Sequence, residues 1–198
     1  FQVDQVQETA KNSLDFLAAL ATPETFKYFF PATYKSIWQW LLLHVHKVRD
    51  FSQLALGLLR GFAKTSLVKL FVLYTILFTS RKFILVTAEN TSKAINIVSD
   101  VMDMLSESNI VKVFGDWRVG VQTDRQDLKK FGFRGRNIII LAGTVETIRG
   151  VTLKNVRPDI MIFDDIQSRT MADSQTISDN LEREMYGTAM KAKSPEGC

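Results

Sequence analysis

Residues 54–66 read Leu54-Ala55-Leu56-Gly57-Leu58-Leu59-Arg60-Gly61-Phe62-Ala63-Lys64-Thr65-Ser66. An apolar run of strand character enters a short turn, the turn closes on Lys-Thr, and a strongly apolar stretch of helical character, residues 65–78, begins there. The phosphate-binding loop has the pattern G-x-x-x-x-G-K-[ST]. This chain departs from it twice, with Leu58 at the first glycine position and Ala63 at the second. Alanine is the smallest replacement for glycine, and it lets a phosphate approach the backbone provided residue 63 need not adopt a positive φ. A Gly-x-x-Lys-Thr string alone recurs by chance in many chains. Here a second signal accompanies it: Ile160-Met161-Ile162-Phe163-Asp164-Asp165, a buried strand tipped by two carboxylates.

The two signals suit one chemistry. Backbone N–H groups in a loop and at a helix N-terminus bind phosphate oxygens, aided by the helix dipole. Lys64 is expected to bridge the β- and γ-phosphates of ATP, with Gly61, Phe62, Ala63 and Ser66 contributing loop and helix amides. The Thr65 hydroxyl and Asp164 are expected to serve Mg²⁺, and Asp165 to polarise the attacking water.

The chain has 198 residues, which suits one α/β domain with a small appendage, and 46% of them are hydrophobic, enough for a sizeable core. A net charge of +4 is compatible with nucleic acid without being diagnostic. The single cysteine, Cys198, excludes a disulfide framework and a thiolate zinc site, and fits a reducing, cytoplasmic setting. The most apolar run, 67–78, contains Lys69 and falls short of the roughly 20 residues that span a bilayer. It reads instead as a helix buried on all sides. The start at Phe1 and the end at Gly197-Cys198 suggest a piece of a longer protein.

Along the chain, Val3, Val6, Ala10, Leu14, Leu17 and Ala21 stand at helical spacing over 2–21. Thr22-Pro23-Glu24-Thr25 reads as a helix restart with Thr22 as N-cap. A third helix is expected over 33–48, making residues 1–48 a helical subdomain ahead of a core over 49–198. Strands are expected over 51–59 and 82–87, and a helix over 91–106 capped by Asn90 or Thr91. Residues 110–114 suit a short strand or a helix end. A hairpin over 129–133 and 137–142 closes on Arg134-Gly135-Arg136. A strand over 159–163 and a helix over 174–192 complete the pattern. Such alternation argues a mostly parallel sheet flanked by helices. Lys64 and Asp164 are 100 positions apart with at least two strand candidates between them. That favours a RecA-like (ASCE) P-loop NTPase over compact kinase-like folds, with the ligand outside the carboxyl ends of the strands.

Tyr34, Trp38 and Gln39 lie upstream of the loop, where a Gln amide could pair with an adenine edge and an aromatic ring could stack on it. A solvated Gln39 is the commoner alternative. Arg118, Arg125, Lys129, Lys130, Arg134 and Arg136, interleaved with Trp117, Phe131 and Phe133, form a basic stretch that could meet DNA phosphates or could be a solvated face. His44 and His46 stand two apart and read as structural.

Arg60-Gly61-Phe62-Ala63-Lys64-Thr65 resembles the P-loop of the large terminase subunits of tailed bacteriophages. Ile148-Arg149-Gly150, Arg157-Pro158-Asp159 and Ile162-Phe163-Asp164-Asp165-Ile166 resemble that family's second ATPase segment, and Ile84-Leu85-Val86-Thr87-Ala88 its second strand. The resemblance implies the ATPase domain of a motor that pumps double-stranded DNA into a procapsid in the host cell cytoplasm. Its implied partners are DNA, the portal protein, the small terminase subunit and further copies in a ring, a pentamer by resemblance, with no membrane. Arg60 would then sense the γ-phosphate, and Arg149 or Arg157 could act across a subunit boundary. The family's nuclease domain would lie outside this chain. Many members carry Pro where Leu59 stands and Glu where Asp165 stands. Two alternatives stay open: another RecA-like DNA translocase or helicase, and a non-hydrolysing nucleotide-binding assembly module.

Overall fold

The strand expected over 82–87 lies inside the sheet. In the computed structural model, which describes residues 3–46, 54–57, 63–147, 156–167 and 173–189, it is β1 (Phe83–Thr87), with all five residues buried. On one side it pairs in parallel with β4 (Arg136–Gly143), placing Leu85 opposite Leu141. On the other it pairs in parallel with β5 (Ile160–Phe163), placing Thr87 opposite Phe163. Strand β3 (Leu128–Phe133) runs antiparallel to β4, and β2 (Val121–Asp124) antiparallel to β3. The sheet order is β2-β3-β4-β1-β5. The protein is therefore α/β with a five-stranded mixed sheet, and the expectation of a mostly parallel one is corrected. The reason is the hairpin itself: two residues, Arg134 (φ 48°) and Gly135 (φ 75°), turn the chain with both φ values positive, and so tight a turn can only join antiparallel strands.

Helices cover both faces. α4 (Lys64–Phe78) is buried at every position over 72–77, as a helix apolar all round must be. α5 (Thr91–Ser106) buries the six side chains its periodicity marks: Ala94, Ile97, Val98, Val101, Met102 and Leu105. Asn90 caps it, its side chain accepting from the Lys93 amide at 2.9 Å. These helices share one core with Ile84, Val86, Ile138 and Ile140. Leu85, Leu141, Met161 and Phe163 point to the opposite face, where Leu181 and Met185 pack. They belong to α7 (Gln175–Glu184) and the wider turn Met185–Ala189 that continues it; no residue of α7 is buried.

The N-terminal helices join the larger core. α1 (Val3–Asn12) and α2 (Leu14–Ala21) are two helices rather than one, because the Ser13 hydroxyl accepts from the Phe16 amide at 3.2 Å and starts a new helix. Thr22 does not open a helix as expected. It closes α2, its amide and hydroxyl both donating to the Ala18 carbonyl. α3 (Ala32–Val45) follows, sending Tyr34, Trp38 and Val45 inward, with Trp38 edge-on to Phe71 and Tyr74 of α4. The Asp15 carboxylate accepts from the Phe30 amide at 2.8 Å and pairs with Lys35 at 2.7 Å, holding α3 to α2.

Residues 110–114 fall in α6 (Ser108–Phe114), settling the choice between strand and helix. A 3₁₀ turn, Trp117–Gly120, leads into β2, which the sequence did not announce. A Cβ on Gly120 would stand 2.0 Å from the Gly132 carbonyl oxygen, so this crossing of β3 requires glycine. Of the strand expected over 51–59, residues 54–57 are described and form no strand; the remainder lies outside the described residues.

Candidate phosphate site

Parallel strands end together, and here the ends of β1 and β5 face the start of α4. The Asp164 amide donates to the Thr87 carbonyl at 2.9 Å, and the Thr87 hydroxyl donates to the Ile162 carbonyl at 2.9 Å. The first bond adds a backbone rung just past the last β1–β5 pair, the second ties the Thr87 side chain to β5, and together they fix Asp164 at the rim of the sheet. Asp164 is 5% exposed, which requires a partner for its carboxylate. The Thr65 hydroxyl supplies one, donating to Asp164 Oδ2 at 2.8 Å. Lys64 Nζ stands 3.8 Å from Asp164 Oδ1 and is in direct contact with Asp165 Oδ1. The Asp165 side chain is 68% exposed, so the two neighbouring carboxylates occupy different environments.

The structure thus brings together Lys64, Thr65, Asp164 and Asp165, although a hundred residues separate the two pairs. α4 opens on Ala63, whose side chain offers its first-turn amides no cap bond. Ser66 is exposed in that turn. Ala63 adopts φ 37°, ψ 34°, the left-handed conformation that the sequence argument required it to avoid. Asp165 is left-handed as well, at φ 43°. Arg60, Gly61 and Phe62 lie outside the described residues, as do Arg149 and Gly150.

Two hard oxygen ligands side by side, the Thr65 hydroxyl and the Asp164 carboxylate, suit Mg²⁺, which takes few protein ligands and completes its shell with phosphate and water. Among the described residues no group of three or more His, Cys, Asp or Glu side chains forms an all-protein metal cage.

An apolar cavity of about 230 Å³ runs from Lys64 and Asp164 between α3, α4 and β5, walled by Val45, Leu56, Val68 and Phe71. His44 lines it too, a position sequence reading had set aside as structural. Gln39 is exposed on α3 and outside that lining, while Tyr34 and Trp38 are core residues whose rings are closed to a stacking base. Thr87 is the site residue that sequence reading missed. A hydroxyl ending an otherwise apolar parallel strand, at its carboxyl end, was the available signal.

The basic stretch is largely engaged elsewhere. Arg118 pairs with Asp116, Arg125 with Asp127 and Lys129 with Asp124. Arg134 lies over the Phe114 ring and donates to Gln7, and Arg136 donates to carbonyls at the end of α4. Trp117, Phe131 and Phe133 are buried. Hydrogen bonds from Arg118 and Arg125 hold the Asp116 and Asp127 carboxyls below the usual aspartate range. Arg157 is exposed ahead of β5.

A scan against protein-family models, a search of curated proteins and a search of solved structures each find no match to this chain.

Proposed function

We propose that the chain is a RecA-like P-loop ATPase domain, of the large terminase type, that couples ATP hydrolysis to translocation of double-stranded DNA into a procapsid. One observation carries the ATPase reading: a Lys-Thr pair opening a largely buried helix meets an Asp-Asp pair that follows a parallel strand. The ordered set of motifs named above supports assignment to a packaging motor rather than to P-loop ATPases at large.

In this reading Lys64 and the first amides of α4 bind the β- and γ-phosphates. Thr65 and Asp164 hold Mg²⁺, which when bound neutralises charge on the phosphate oxygens. Asp165, exposed beside the buried Asp164, orients a water against the γ-phosphorus and accepts its proton. The new P–O bond forms as the bond to the β–γ bridging oxygen breaks, giving ADP and phosphate. Arg60 senses the γ-phosphate, and an arginine from a neighbouring copy completes the site in a ring.

Phosphate release by the chain, with and without double-stranded DNA and procapsids, tests the proposal. Lys64→Ala should lower turnover on the order of a hundredfold or more, the scale of losing one charge-stabilising donor. Asp165→Ala should do the same. Equal turnover of wild type and both variants, with DNA and procapsids present, would remove the enzyme reading. The left-handed Ala63, where glycine would be relaxed, favours a second reading in which the site binds nucleotide weakly and the domain serves assembly. Lys64-dependent nucleotide binding without turnover would select it.

A further inference from the structure

Lys64 holds a single ammonium charge, and two carboxylates compete for it. Asp165 Oδ1 is in direct contact, and Asp164 Oδ1 stands 3.8 Å away. Their freedom to move differs. Asp164 is buried and bonded through its amide to Thr87 and through its carboxylate to Thr65. Asp165 is 68% exposed, and Lys64 is its one hydrogen-bond partner among the described residues. A phosphate oxygen arriving at Lys64 therefore meets an occupied cation, and only Asp165 can yield. Lys64 has three N–H donors, but a phosphate joining Asp164 and Asp165 there gathers three anions around one charge, and their repulsion bears on the carboxylate least tied down.

The backbone points the same way. Among the described residues three non-glycine positions have positive φ: Ala63, Arg134 and Asp165. Arg134 belongs to the hairpin turn. The other two carry the Lys64–Asp165 contact, one directly before the lysine and one at the aspartate itself. Left-handed conformations of this kind persist where surrounding contacts hold them, and they cluster at active sites, ligand clamps and switch regions.

We infer that Asp165 is a built-in substitute for phosphate. It closes on Lys64 until a nucleotide polyphosphate displaces it, and displacement frees the same carboxylate to face the attacking water. Water activation is thereby tied to nucleotide occupancy. This inference rests on the phosphate-site reading above.

Calorimetric titration with ADP and Mg²⁺ tests it, because ADP is not turned over. Asp165→Asn keeps the shape, removes the charge and lies at an exposed position. It should tighten ADP binding about two- to fivefold, the range expected of an exposed ion pair, and the gain should shrink as salt is raised. Asp4→Asn is the charge control. Asp4 borders a crevice with Leu77 and Phe78 at the opposite end of α4, roughly 20 Å away. It should leave affinity unchanged. Lys64→Ala should weaken binding in either background. If Asp165→Asn binds ADP no more tightly than wild type while Lys64 is still needed, the substitute role is overturned and the phosphate site stands. If ADP fails to bind, or binds without regard to Lys64, both are overturned.

Discussion

Ala63 opens α4 in a backbone conformation that suits glycine better than alanine. Left-handed backbone costs an L-residue about 1–2 kcal/mol, whereas glycine adopts it freely. Glycine also frees the unfolded chain, which offsets roughly 0.4–1 kcal/mol. Ala63→Gly should therefore stabilise the fold by about 0.5–1 kcal/mol, seen as a higher urea midpoint at unchanged slope. A lower midpoint would show that residue 63 is not left-handed in solution. The meeting of Lys64 and Thr65 with Asp164 and Asp165 was legible in the sequence, because a strand ending in acids and a helix opening on Lys-Thr leave few other arrangements. The strain at residue 63 was not. Backbone angles at a turn are imposed by the elements it joins, and residue type reports them only when it is glycine.

At the scale of elements, α4 is held at both ends. Arg136, the first residue of β4, donates to the carbonyls of Ile76, Thr79 and Arg81 at the helix C-terminus. Ile76 lies in the last turn, whose carbonyls have no partner within the helix, and Thr79 and Arg81 follow it; one guanidinium serves all three with a rigid fork. Arg136→Ala should cost about 2–3 kcal/mol in urea unfolding, and Arg136→Lys should restore less than half of it. Midway along α4, the Tyr74 hydroxyl meets His46 Nε2 at 2.9 Å. Burial, and then the Glu8 charge, push Tyr74 up to about 12 from an ordinary value of 10.0. Because the folded value lies above the unfolded one, its contribution is whole below pH 10 and disappears as pH rises through 12. Urea midpoints between pH 9 and pH 12 should fall more steeply for wild type than for Tyr74→Phe. Sequence reading found α5 because one apolar stripe and one cap agree. It merged α1 with α2 because the stripe runs on through Ser13, where a hydroxyl bond to Phe16 outweighs the period.

Across the whole molecule, protection is unequal. β1 is hydrogen-bonded on both sides and fully buried, whereas α7 buries no residue and meets the sheet through Leu181 and the Met185 turn. Hydrogen exchange should be slowest in β1 and fastest, among helices α4, α5 and α7, in α7. Equal rates in β1 and α7 would contradict this packing. The β3–β4 hairpin was legible in the sequence, but β2 was not, being short, largely exposed and without an apolar alternation, so strand–helix alternation spoke for a more parallel sheet than the one that forms.

Among the described strands β5 pairs with β1 alone, which precedes it by some 76 positions in the register that pairs Ile84 with Ile160. A ribosome adding roughly 5–20 residues per second completes Lys64 about 5–20 s before Asp164. During vectorial synthesis the lysine therefore emerges without either of its acids. Any chain halted before β5 carries the basic half of the cluster alone, with Lys64 and Thr65 waiting for the acids that β5 delivers.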